Sequence, residues 1–88
     1  MEKRIGSVLI LMTSKSSAPL VNSIISNHSA IIIGRQGLPV REGDSAIISL
    51  VLEGSTDQIG SLTGQLGRIP GIRVKSVVLK IRESDEKN

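Results

Sequence analysis

The sequence contains no cysteine, phenylalanine, tyrosine or tryptophan, and its one histidine is His28. Without cysteine there are no disulfides, thiolate nucleophiles, iron–sulfur ligands or ordinary structural zinc sites. A lone histidine argues against a His-rich metal centre within one chain, so no metal or cofactor is expected. The missing aromatic rings remove the platforms on which RNA-binding sheets and single-strand binders stack bases. Neither charge sign dominates: 11 Lys+Arg oppose 8 Asp+Glu for a net charge of +3. A dedicated nucleic-acid binder concentrates more positive charge than that on one face. No apolar run approaches the ~20 residues that span a bilayer. Met1–Arg4 followed by Ile5–Met12 imitates a signal peptide in outline. Gly6 and Ser7 interrupt it, however, and no A-x-A-like cleavage site follows, so a strand is the better reading and a cytoplasmic location the expectation.

What the sequence does have is aliphatic and branched: 13 Ile, 9 Leu and 7 Val in 88 residues. Twenty β-branched aliphatics in so short a chain favour sheet. The length suits one domain with a thin core. Residues 1–82 are read as that domain and 83–88 as a polar tail.

Ile5–Met12 reads as a first strand, closed by the polar loop Thr13–Ser17. Ser16 or Ser17 can cap a helix over Ala18–His28 with Pro19 in its first turn. Leu20, Val21, Ile24, Ile25 and His28 share its apolar face. Ala30–Gly34 is a second strand. Gly37, Pro39 and Gly43 mark Arg35–Asp44 as a long hairpin loop. Ala46–Glu53 is a third strand. Ser55 and Gln58 form a capping box before a helix reaching about Arg68, with Ile59, Leu62, Leu66 and Ile69 at helical spacing. Pro70-Gly71 stops that helix, and Ile72–Arg82 is a fourth strand.

The order β-α-β-β-α-β is the α+β, ferredoxin-like arrangement: a two-layer sandwich with two helices on one face of a four-stranded antiparallel sheet. Strands one and three lie at its centre. The expected core includes Val8, Ile10, Leu20, Ile24, Ile48, Leu50, Leu62, Leu66 and Ile72. A two-layer monomer should alternate apolar and polar residues along its strands. The central strands do not, since Ile5, Leu9, Leu11, Ile47 and Val51 take the parity away from the helices. That second face predicts a homo-oligomer, a dimer or tetramer, paired through the sheet faces or edge to edge. The fourth strand changes parity from Ile72 and Val74 to Val77, Leu79 and Ile81, which predicts a bulge near Ser76.

The segments Gly37–Leu52 (GLPVREGDSAIISLVL) and Ile59–Lys75 (IGSLTGQLGRIPGIRVK) resemble the iron-only hydrogenase system regulators. The resemblance extends over about Arg4–Leu79. It implies an ACT-like fold related to the C-terminal domain of the nickel-responsive repressor, and a regulatory role. The loop Lys15–Pro19 lacks the Asp and Gly that ACT domains use for amino acids. His28 alone cannot replace the repressor's several His and Cys ligands. The first strand starts at about Lys3, so no DNA-binding arm precedes it, and no specific DNA binding is expected of the chain alone.

Three candidate sites stand out. Gly60, Gly64 and Gly67 make a stripe on the second helix, each costing ~1 kcal/mol against Ala. They imply close approach of a ligand or partner chain, or else tight packing within the chain. Arg35 and Arg41 bracket Gly37 and could hold a phosphate or carboxylate, or could be solvated charges pairing with Glu42 or Asp44. His28, at a helix C-terminus, suits a half-packed structural role better than that of a ligand. Lys15 among Ser14, Ser16 and Ser17 lacks the orienting third group of a nucleophile system. With no catalytic constellation, the expected function is a non-catalytic regulatory module that binds a small ligand or a partner protein. The alternative is an assembly subunit with no ligand.

Overall fold

The computed structural model describes residues 3–40, 43 and 45–80. Its elements are β1 (Arg4–Met12), α1 (Ala18–Asn27), β2 (Ile32–Pro39), β3 (Ala46–Gly54), α2 (Thr56–Gly67) and β4 (Ile72–Lys80), with 3₁₀ turns at Lys15–Ser17 and Ser29–Ile31. The strands form one antiparallel sheet in the order β2-β3-β1-β4. The fold is therefore the expected β-α-β-β-α-β sandwich with β1 and β3 central. Ile81 and Arg82 at the expected end of the fourth strand, and the tail 83–88, lie outside the described residues.

The core forms where strand alternation meets helical periodicity. Val8, Ile10 and Met12 of β1 and Ile48, Leu50 and Leu52 of β3 point to the same side. Val21 and Ile25 of α1 and Ile59, Leu62 and Leu66 of α2 bury against them. Each such Leu, Ile or Val fully shielded contributes about 1.5–3 kcal/mol. At the start of α2, Ser55 Oγ accepts from Gln58 N at 3.1 Å and Gln58 Oε1 accepts from Ser55 N at 2.9 Å. The capping box read from the sequence is thus complete in both directions.

Four expectations need correction. Leu20 is 57% exposed, because α1 turns Val21 and Ile25 inward instead, and Ile24 and Ile72 are only partly buried. Ser17 does not cap α1 with its side chain. Its hydroxyl donates to Pro70 O at 3.1 Å while Thr13 Oγ1 donates to Gly71 O at 2.9 Å, tying the end of β1 to the turn before β4. Gly71 takes φ of +78°, a conformation that favours glycine, at that turn. The strand β2 starts later than expected and runs through to Pro39. An edge strand tolerates Gly37 and a terminal Pro39 because its outer edge needs no ladder partner.

The fourth correction concerns the bulge. β4 keeps an unbroken register with β1 from Ile72↔Met12 to Lys80↔Arg4, so there is none at Ser76. The one register shift in the sheet lies between Ile32 and Gly34 of β2. β4 changes which face its apolar residues serve instead of changing register. Ile72 and Val74 lie opposite Met12 and Ile10 beneath the helices, whereas Val77 and Leu79 lie opposite Ser7 and Ile5 on the open side.

Candidate ligand pocket and open sheet face

The open face of the sheet carries all five residues expected there. Ile5, Leu9 and Leu11 pair with Glu53, Ser49 and Ile47 across β1 and β3, and Val51 pairs with Ser7. Leu9 is 54% exposed and Val51 40%, and β4 adds Val77 at 65% and Leu79 at 63%. Arg73 and Lys75 lie beside Leu11 and Leu9 on the same face. Strands of eight or nine residues, four abreast, give this face roughly 550 Å² at about 3.3 Å per residue and 4.8 Å between strands. Its apolar residues share the face with Ser7, Ser49, Glu53, Arg73 and Lys75; the largest apolar patch on a typical monomer is about 300–600 Å² and is often functional.

A second feature lies at one end of the sheet, between the start of α1 and the β2–β3 hairpin. It is a cavity of about 340 Å³, open to solvent and lined in part by Met12, Lys15, Asn22, Gly37, Ser45 and Ile48. Met12 and Ile48 are each 7% exposed and make an apolar floor. Arg35 NH2 donates to Asn22 Oδ1 at 2.9 Å. Of the expected anion site, the structure brings Arg35 and Gly37 to this end of the molecule, in β2 and not in a loop. Arg41, with the suggested partners Glu42 and Asp44, lies outside the described residues. Sequence reading dismissed Lys15 and missed Asn22. Asn22 sits on the exposed side of α1 with Ser23, Ser26 and Asn27, so nothing in the sequence singles it out.

The glycine stripe faces outward. A methyl group at Gly60, Gly64 or Gly67 would meet nothing within 4 Å, and all three residues are exposed. Packing within the chain does not account for them. His28 is the C-cap of α1 and is half-buried. Its Nδ1 lies 2.7 Å from Ile24 O and its Nε2 lies 3.1 Å from Ser61 Oγ. A carbonyl only accepts, so Nδ1 donates to Ile24 O, and Nε2 is within hydrogen-bond distance of the Ser61 hydroxyl. Both ring nitrogens thereby serve to join α1 to α2. Among the described residues no three His, Asp or Glu side chains cluster as metal ligands, and no helix is long and apolar enough to cross a membrane.

The model of the TM1266-like family, described as "Iron-only hydrogenase system regulator, putative", matches residues 4–76. The chain belongs to this family. A solved member, uncharacterized protein TM1266 from Thermotoga maritima, is 45% identical with a TM-score of 0.84, over 90% of this chain and 100% of its own. The C-terminal domain of the MgtC protein from Mycobacterium tuberculosis shares the fold at 14% identity and a TM-score of 0.63, over 91% of this chain and 89% of that one. So does the apo form of CPII from Thiomonas intermedia K12, a nitrogen regulatory PII-like protein, at 10% identity and a TM-score of 0.59, over 89% and 91% of the two chains. No curated protein matches the sequence. Family membership bears out the resemblance carried by Gly37–Leu52 and Ile59–Lys75.

Proposed function

We propose that this member of the TM1266-like family is a non-catalytic regulatory module that works as a homo-oligomer and responds to a small ligand or a partner protein. The observation that carries the reading is the apolar open face of the sheet. Two copies joined through it under a two-fold axis would remove roughly 1,100 Å² from water, close to the lower limit of about 1,200 Å² for specific interfaces. Membership in a family described as regulators supports the same reading. The glycine stripe of α2 offers a partner's backbone an approach with no side chain in the way. Signal then passes through a partner, and the chain alone binds DNA only weakly and with steep salt dependence.

Light scattering tests the oligomer. The wild type is expected to weigh a dimer or more, and Leu9→Lys combined with Val51→Lys should shift it to monomer. Both residues are outside the core, so the far-ultraviolet circular dichroism should be unchanged. A wild type that stays monomeric at high micromolar concentration would overturn the proposal.

A further inference from the structure

We propose that β4 pairs antiparallel with β4 of a second copy about a two-fold axis at Ser76, continuing one sheet into the next. The proposal rests on the reading of the chain as a homo-oligomer and adds an edge contact to the paired sheet faces. The two outer strands of the sheet are built differently. β2 has the sheet's one register shift, between Ile32 and Gly34, followed by Gly37 and a terminal Pro39. Bulges, glycine and proline blunt an edge against added strands. β4 has neither glycine nor proline in its nine residues and keeps an unbroken register with β1. Its second half is also apolar on both faces: Val77 and Leu79 are exposed on the open side, and Val78 is 45% exposed on the helix side. An outer strand with one wet face alternates, whereas a run apolar on both faces belongs inside a sheet.

The charges of β4 select the register. A two-fold perpendicular to the sheet keeps both open faces on one side, so only residues of like parity stand opposite each other. An axis at Val74 or Lys75 would set Arg73 against Lys75, or Lys75 against itself, and like charges directly opposite are destabilising. With the axis at Ser76, all nine residues of β4 are paired. Arg73 then faces Leu79, Lys75 faces Val77, Val74 faces Val78 and Ile72 faces Lys80. In-register parallel stacking would instead set Lys75 on Lys75.

The helix above this edge fits the same axis. α2 packs against both α1 and β4. At about 100° per residue, Gly60 and Gly67 lie on the flank of α2 opposite Ser61, the residue that meets His28 of α1. That flank is on the β4 side, so the axis turns it toward the same flank of the second copy's α2. A methyl group at either glycine would meet nothing within 4 Å inside the chain, and a neighbouring helix gives the missing side chains a reason.

The sequence contains no cysteine, so Ser76→Cys reports on its own position alone. Opposed residues of an antiparallel pair have Cα atoms about 4.5–5.5 Å apart, within the ~4.4–6.8 Å that a disulfide spans. Val78→Cys is the control, because the two copies of residue 78 would stand four residues apart, about 13 Å along the strand. Both side chains are exposed. With oxidised glutathione, Ser76→Cys should form the covalent dimer at least about tenfold faster than Val78→Cys. Adding Gly60→Leu and Gly67→Leu to Ser76→Cys should slow that cross-link about tenfold with unchanged circular dichroism. Equal rates at the two positions, a faster Val78→Cys, or no cross-link would overturn the edge contact, and folded leucine variants that cross-link at full rate would overturn the approach of the helices. A single strand edge is smaller than the ~1,200 Å² of specific interfaces, so it forms together with the paired faces. An oligomeric wild type whose Ser76→Cys variant does not cross-link refutes the edge contact alone. A rapid Ser76→Cys cross-link, with a mass that Leu9→Lys and Val51→Lys leave unchanged, supports the edge contact and refutes only the paired faces.

Discussion

A methyl group at Gly54 would lie 2.9 Å from Ile31 Cγ2 and 2.9 Å from Gln58 Oε1, whereas one at Gly60 or Gly64 would touch nothing within 4 Å. The same substitution should therefore have opposite signs at these positions. Gly54→Ala must displace a buried Ile31 and disturb the capping box, and is expected to cost about 1–3 kcal/mol, the range for overpacking. Gly60→Ala and Gly64→Ala each relieve the helix of a glycine and should stabilise the isolated chain by about 0.5–1 kcal/mol. For a domain of this size that is a rise in melting temperature of about 2–8 °C. Urea titrations of the three variants check all of this, and no gain at Gly60 or Gly64 would contradict an open stripe. The glycines themselves were legible as an anomaly in the sequence. Their outward orientation was not, because helical spacing gives the angle between residues but not which arc meets the sheet. Leu20 shows the same limit. Leu20 and Val21 lie about 100° apart around the helix, and only the docking of α1 decides that Val21 is buried and Leu20 exposed.

At the scale of elements, the sequence speaks most clearly where local chemistry and tertiary packing agree. Ser55 and Gln58 satisfy each other's backbone N–H at the start of α2, and Ile59, Leu62 and Leu66 follow at the spacing that the sheet requires. Replacing Ser55 by Ala should leave the Gln58 amide without its acceptor and cost about 1 kcal/mol. Denaturant unfolding with an unchanged m-value would verify that only stability has moved. The edges of the sheet were harder to read. Gly37 and Pro39 are turn signals in most contexts, yet the outer strand β2 accommodates them. In β4 the parity change after Val74 resembled a bulge, since a half-buried strand should keep its apolar residues on one side. Beyond Val74, Val77 and Leu79 serve the open face while Val78 stays on the helix side opposite Gly6, so the strand runs on without a break. The pocket was the least legible part. Lys15, Asn22 and Ile48 come from three separate elements, and only the closed sheet brings them together.

The whole molecule has one thin core on one side of its sheet and a second apolar surface on the other. A chain this small shields only about 60% of the surface its unfolded state exposes, so covering the open face would add appreciably to a modest stability. The strand order has another consequence, which concerns synthesis. β1 emerges from the ribosome before the other strands, but its two neighbours are β3 and β4. It therefore waits through both helices and all three later strands before its second edge is hydrogen-bonded, and such non-local pairing is slow. During that interval β1 is a template for any extended chain nearby. The strand that finally closes it carries Val77-Val78-Leu79, a run flanked by Lys75 and Lys80. Charges in those positions act as gatekeepers against stacking of like strands. A nascent chain cut short before β4 would lack the closure and would leave the ribosome with one edge of β1 open to pairing with other extended chains.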